Sequence, residues 1–299
     1  VLNRLAGSVF RVGAAVERAD VIARLLDAYL AKPDAGTGPE DAVTGRELRI
    51  VAGASTGGAR RSFADRTATL ELLALDRHEP ASIAHAVAVA RDDARRARDV
   101  VSTELWECLN VTRSRMPRKI ASGREHEFLA WVRERSALAV GVVEGDASRD
   151  EVWEFFTLGR SLARCAATAR LLASDLLDPE SSRSWATALR ACGVDEAFHR
   201  EARPGAPASE AAAFLLLDGH CPRSMAFLTS RAEACLADVA PTLVPEGLAE
   251  LREAGRALRT IPPDDAVEAA RPAGRRLASV ADRVARALDE RVFAVATAR

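Results

Sequence analysis

A chain of 299 residues, 48% hydrophobic and 28% charged, holds enough apolar material for one large domain or two moderate ones. Its net charge of −1 excludes the basic footprint of a nucleic-acid binder or of a protein held on an acidic membrane surface. Aromatic residues make up only 5%, alanine, leucine and arginine dominate, and Lys32 and Lys119 are the only lysines. That is the composition of a helical protein.

The first predicted element is a long amphipathic helix from near Val1 to about Lys32, stopped by Pro33. Leu2, Leu5, Val9, Val12, Val16, Ala19, Ala23, Leu26 and Leu30 recur every three or four residues and mark one buried stripe. Beside it Glu17, Asp20, Arg24 and Asp27 fall at helical spacing, close enough to pair. A Gly/Pro-rich link is expected over 32–45. The Gly-rich run after Val51 lacks the Gly-Lys-Ser/Thr ending of a phosphate loop and reads as a helix stop. A short helix is expected from Phe63 to Leu75, ended by Asp76.

Pro80 suits the first position of the next helix, with Ala81 and Ser82 in its first turn. Ile83, Val87, Ala90, Ala94, Ala97, Val101, Leu105 and Cys108 keep one seam to about Asn110, so a single long helix is expected there. Its outer faces carry Arg91, Asp92, Asp93 and Arg95, while Glu104 lies on or beside the seam and would need a buried partner. A further helix runs from about Arg124 to Val143, and 145–148 interrupt the pattern. Two last helices, broken at Pro262-Pro263, fill the segment after Val239. No stretch alternates as a strand does.

Two motifs recur. Gly13, Arg18, Ala23, Arg24, Leu25 and Leu26 return 146 residues later as Gly159, Arg164, Ala169, Arg170, Leu171 and Leu172. Leu75-Asp76, Pro80 and Ser82 return 142 residues later as Leu217-Asp218, Pro222 and Ser224. Two matches at nearly one offset imply an internal duplication with halves of about 1–145 and 146–299. The expected architecture is all-α, one domain over 1–299, a helical bundle of two pseudo-repeated halves.

The five cysteines, Cys108, Cys165, Cys192, Cys221 and Cys235, form no Cys-x-x-Cys and have no histidine at zinc spacing. They read as free thiols of a reducing compartment, and a cytoplasmic location is expected. Arg4, Arg11, Glu17 and Arg18 interrupt the N-terminal apolar pattern, so it is not read as a signal peptide. No run of about 18 uncharged apolar residues occurs to span a membrane. A di-metal carboxylate bundle would want two Glu-x-x-His pairs, and only Glu196-Ala-Phe-His199 is present. No nucleophile elbow, Cys/His pair or dinucleotide loop appears, so no independent catalytic motif, cofactor or metal is expected. What recurs is arginine with carboxylate at helical offsets: Glu17 with Arg18 and Arg24, Asp92 with Arg91 and Arg95, then Arg160, Arg164 and Arg170. Such groups form either an internal ion-pair network that fixes helix register or a basic pocket between the halves that holds an acidic peptide or nucleotide.

Together these motifs resemble the alpha-E domain family, a bacterial all-helical family with a Glu-Arg motif. Val16-Glu17-Arg18-Ala19-Asp20 with Ala23-Arg24-Leu25-Leu26, Leu75-Asp76 with Pro80-Ala-Ser82, and Ala90-Arg91-Asp92-Asp93-Ala94-Arg95 through Ser102 to Asn110 carry the resemblance. His126-Glu127-Phe128-Leu129 and Glu134-Arg135-Ser136 continue it. The chain departs from the family pattern at Ala14, where arginine is usual, at Ala163, where the second copy usually keeps a glutamate, and at Asp92-Asp93, where Glu-Asn is usual. A site needing two equivalent Glu-Arg copies is therefore not expected; Glu17-Arg18 and Arg160/Arg164 would complement one another.

The resemblance implies a partner, since family members are typically encoded beside, or fused to, a circularly permuted ATP-grasp-type ligase, often with a transglutaminase-like protein. It implies an accessory subunit in amide-bond formation on a peptide or amino-acid substrate. The residues expected to form its substrate site or charge network are Glu17, Arg18, Arg24, Asp76, Arg91, Asp92, Arg95, Glu104, Arg160, Arg164 and Arg170. The alternatives are a purely structural helical scaffold and a carboxylate-bridged metalloenzyme. As an internal network, Glu17 and Arg91 would each contribute about 2–4 kcal/mol.

Overall fold

The computed structural model describes residues 3–30, 39–54, 66–202 and 205–294. Among them every regular element is a helix. The first, α1 (Asn3–Leu30), is the axis of the molecule, and Val9, Val12, Val16, Ala19, Ala23, Leu26 and Leu30 of its stripe are all buried. Then come α2 (Pro39–Val51), α3 (Arg66–Leu70) with a wide π turn to Leu75, α4 (Ile83–Arg96), α5 (Thr103–Arg115) and α6 (Glu125–Asp146). The second long axis is α7 (Glu151–Ala173), followed by α8 (Ser182–Cys192), α9 (Asp195–Glu201), α10 (Ala208–Leu217), α11 (Met225–Val239), α12 (Pro245–Arg259) and α13 (Ala266–Leu288). α1 packs on α7, with α4 and α6 against α1 and with α11 and α13 against α7.

Three boundaries differ from expectation. The link over 32–45 is helical from Pro39, a residue suited to a helix's first turn; the stop at Pro33, the 55–60 run and the start at Phe63 lie outside the described residues. Ser82 does not lie inside α4: it is the N-cap, and its Oγ accepts from the His85 amide at 3.0 Å. The single helix expected from Pro80 to Asn110 is two helices, because the chain leaves the helix after Ala97 and restarts at Ser102, whose Oγ accepts from the Leu105 amide.

α1 and α7 cross with their backbones nearly touching. A Cβ on Gly13 would lie 2.1 Å from the Phe156 carbonyl oxygen, and one on Gly159 would lie 2.1 Å from that of Phe10. Phe10 and Phe156, like Gly13 and Gly159, are 146 positions apart, so the contact is reciprocal. The Asp76 and Asp218 turns also match: each carboxylate accepts from the amide two residues on, at 2.8 and 2.7 Å. Each of Ser82 and Ser224 donates its hydroxyl back to the aspartate carbonyl and caps the helix that follows.

The apolar core divides along α1. Phe10, Val12 and Val16 join Phe156, Leu162 and Val284 in one cluster, while Ala19, Ile22 and Leu26 join Leu171, Trp185 and Leu215 in the other. Fully burying each large side chain contributes roughly 1.5–3 kcal/mol. Buried charge collects where the two clusters meet.

Candidate functional site: a charged cavity at the helix crossing

Glu17 lies one turn beyond Gly13, and its side chain is 1% exposed as a residue, a costly position for a lone carboxylate. Arg164 of α7, one turn beyond Gly159, chelates it: Nε donates to Oε1 and Nη2 donates to Oε2, the latter at 2.6 Å. This fork-on-fork geometry is the strong form of the interaction. Arg160 Nε stands 3.5 Å from Oε2 and Arg223 Nη1 4.0 Å from Oε1. One turn on, Asp20 accepts from Arg24 Nε at 2.9 Å and from Arg223 Nη2 at 2.8 Å. Arg223 so joins the two carboxylates from the start of α11.

Gly193, in the left-handed region at φ +69°, ends α8 and leaves room for Arg24, whose Nη1 lies 2.3 Å from where a Cβ would sit. These groups line a cavity of about 350 Å³ that Ser136, Val140 and Gly141 of α6 close from the side. Its arginines, Arg24, Arg160, Arg164 and Arg223, outnumber its carboxylates, Glu17 and Asp20. Next to it Arg160, Arg164, Thr157 and Glu144 border a second hollow of about 160 Å³. Arg160 Nε and Thr157 Oγ1 are buried and have no hydrogen-bond partner among the described residues.

The electrostatics follow from this crowding. Burial pulls Arg164 below the usual arginine value; Glu17 opposes this, and the Arg223 and Arg160 charges reinforce it. Arg223 is raised, because Asp20 and Glu17 outweigh its burial. Burial alone would raise the Asp20 carboxyl, but the charges and hydrogen bonds of Arg223 and Arg24 together hold it below the usual aspartate value. A folded value below the unfolded one of about 3.9 means that the unfolded chain takes up the proton first on acidification. The stabilisation is then complete above about pH 4 and is lost as pH falls through the folded value. Asp20→Asn is expected to be less stable than wild type at neutral pH, with the gap closing on acidification. Urea midpoints of both proteins, followed down to about pH 3, check this; a gap that stays constant contradicts it.

The expected site residues do not form one group. Glu17, Arg24, Arg160 and Arg164 meet at this cavity, while Arg18 and Arg170 line a separate one. Asp76 shapes the turn before α4. Arg91 pairs at 2.9 Å with exposed Asp92, bonds Asn110 at 3.3 Å and stacks on Trp106, and Arg95 is exposed. Glu104 is exposed beside Asp146, which raises its carboxyl; it is not a buried seam residue, because α5 starts afresh at Ser102 and re-phases its faces. The buried acid of this region is Asp93, 2% exposed, held bidentately by Arg11 at 3.1 Å and by Arg96 at 3.1 Å. Its place among Ala90, Ala94 and Ala97 was the available signal. Arg91→Ala is therefore expected to cost about 1 kcal/mol or less, not a network's worth. A urea-midpoint shift equivalent to more than twice that would contradict the surface assignment.

Asp20 belongs to the site, as its spacing from Glu17 and Arg24 indicates. Arg223 had no comparable signal, because position 81, its counterpart 142 residues earlier, is alanine. Among the described residues no group of three or more His, Cys, Asp or Glu side chains could hold a metal ion, and Glu196 and His199 are exposed on α9. No helix among them is long and apolar enough to cross a membrane. All five cysteines are buried and free, and burial pushes the Cys192 thiol up to about 11 and Cys165 up to about 12.

The fold and site define an all-helical protein whose two axial helices, α1 and α7, cross over a buried glutamate held by arginine. A family described as "a predicted alpha-helical domain with a conserved ER motif" matches residues 1–297. The chain belongs to this family, Alpha-E, and of its Glu-Arg pairs Glu17-Arg18 lies at the helix crossing. No curated protein and no solved structure matches the chain.

Proposed function

We propose that this chain is a cytoplasmic companion subunit of a circularly permuted ATP-grasp-type ligase, and that the cavity at Glu17 positions an acidic group of a peptide or amino-acid substrate. The ligase would activate a carboxylate as an acyl phosphate and pass it to an amine; this chain would contribute orientation, with the partner holding ATP. The observation that supports the reading is the excess of arginine over carboxylate around the cavity, together with Arg160 Nε buried without a hydrogen-bond acceptor. Arg160 meets Glu17 only at 3.5 Å and Glu144 only at 3.8 Å, and a substrate carboxylate would supply the short charge-assisted bond that neither makes. The five buried free thiols suit a reducing compartment.

A second reading, a structural scaffold, draws on the closed Glu17–Arg164 chelate between α1 and α7. One experiment separates the two: pull-down of the tagged protein from its native host with the eluate identified by mass spectrometry, then assay of the recovered ligase with Arg160→Gln. The proposal expects a ligase in near-stoichiometric amount and at least about a tenfold loss of amide formation at nearly unchanged Tm. Absence of a ligase, or full activity of Arg160→Gln, overturns it in favour of the scaffold.

A further inference from the structure

Positions 146 apart occupy reciprocal places on α1 and α7, so the cavity at Glu17 has a counterpart on the other side of the crossing. That counterpart is a space of about 420 Å³, and its walls include Arg18, Ala163, Ala166 and Arg170, with Asp282 of α13 at one side. Arg18 and Arg170 stand where Arg164 and Arg24 stand in the first cavity, but alanines 163 and 166 replace Glu17 and Asp20. The second cavity has arginine at both matching positions and alanine at both carboxylate positions.

The remaining charges do not repair this for Arg18. Arg170 has another acceptor, Asp282, at 2.5 Å. Arg11 is occupied by Asp93, and Asp289 stands 4.0 Å from Arg11. Arg18 makes no hydrogen bond or ion pair among the described residues, and it is half-buried on the wall of this space. Burial and the nearby Arg170 charge pull it below the usual arginine value, against the opposing pull of Asp282. A half-buried cation on a cavity wall with no counter-charge in contact is a ready seat for an anion. Phe10, Val89, Leu162 and Ala285 give the space apolar walls.

We propose that this second cavity binds a short aliphatic monocarboxylate, seated over Ala163 where a glutamate side chain would lie, with its carboxylate on the Arg18 guanidinium. One charge is specified because, of this cavity's arginines, Arg18 alone has no acceptor among the described residues. An aliphatic body is specified because apolar walls line the space vacated by the side chains of a glutamate and an aspartate. The site is distinct from the cavity at Glu17 and does not depend on its role.

The test is titration of the full chain with propionate and butyrate, read by calorimetry and by thermal melting, with chloride and phosphate at equal ionic strength as controls. Wild type should bind saturably and gain a few degrees in Tm. Arg18→Gln should melt with wild type when no acid is present, because no ion pair is broken, and should lose at least about tenfold in affinity. Ala163→Glu should fill the space itself, raise Tm and abolish the response; if it does not fold, Arg18→Gln still decides. An unresponsive wild type, an equal response to chloride or phosphate, or a response that persists in Arg18→Gln overturns the proposal. So does a response lost in Arg160→Gln, which would place binding in the first cavity.

Discussion

Glu17→Ala is expected to destabilise the protein by about 3–5 kcal/mol, the cost of leaving buried cations without their counter-charge. Glu17 is the acceptor for both Arg164 nitrogens and the nearest carboxylate to Arg160 Nε, and it also faces Arg223. Removing it leaves Arg164 and Arg160 facing one another across a cavity, with Arg164 bonded only to the Pro222 carbonyl at 3.4 Å. Arg164→Ala should cost nearly as much, and the double variant much less than the sum, because the second removal takes away the charge that the first stranded. Replacing both by methionine gives the sharper result, since an apolar pair of similar volume often matches a buried ion pair in stability. A stable Glu17→Met/Arg164→Met protein that no longer supports ligase activity would place the pair in function. Urea unfolding of the four proteins measures the cycle, and a Glu17→Ala cost below about 1 kcal/mol would mean that the carboxylate is not buried and paired as described.

Much of this was legible in the sequence, for physical reasons that differ from element to element. The α1 stripe was read from its three-and-four spacing because a helix packed on several sides must bury those positions whatever its neighbours are. The break between α4 and α5 was hidden because Ala97, Val101 and Leu105 continue the four-residue spacing across it. Only Ser102 with Glu104 in the first turn signalled a new helix start. Glu17 and Arg18 were read as one motif, and helix geometry separates them by about 100° around the axis. That turn sends the glutamate towards α6 and α11 and the arginine towards α13, a distinction that requires knowing which helices flank the crossing. The family resemblance had Arg160/Arg164 complement Glu17-Arg18, yet Arg223 enters at a position whose counterpart 142 residues earlier is alanine, so neither periodicity nor internal comparison could find it.

Gly13→Ala should have the other large effect, about 3 kcal/mol or more, although the added methyl itself meets backbone and no charged side chain. The added methyl would lie 2.1 Å from the Phe156 carbonyl oxygen, which belongs to the α7 backbone and has no rotamer by which to move away. α1 must therefore shift as a body. Gly141→Ala in α6, where a Cβ meets nothing within 4 Å, is the control and should be neutral or stabilising by up to roughly 1 kcal/mol. Gly159→Ala should resemble Gly13→Ala, because it presses on the Phe10 carbonyl across the same crossing. Combining the two should cost less than their sum, since helices already parted by one methyl admit the second more readily. Glu17 and Ala163 each lie one turn beyond these glycines, so the same shift lengthens the 2.6 Å contact between Arg164 and Glu17. Part of the Gly13→Ala cost should then be shared with Glu17→Ala, and the two variants should combine to less than their sum. Full additivity would show that backbone approach and charge pairing are independent, and would leave the glycines with packing as their only task.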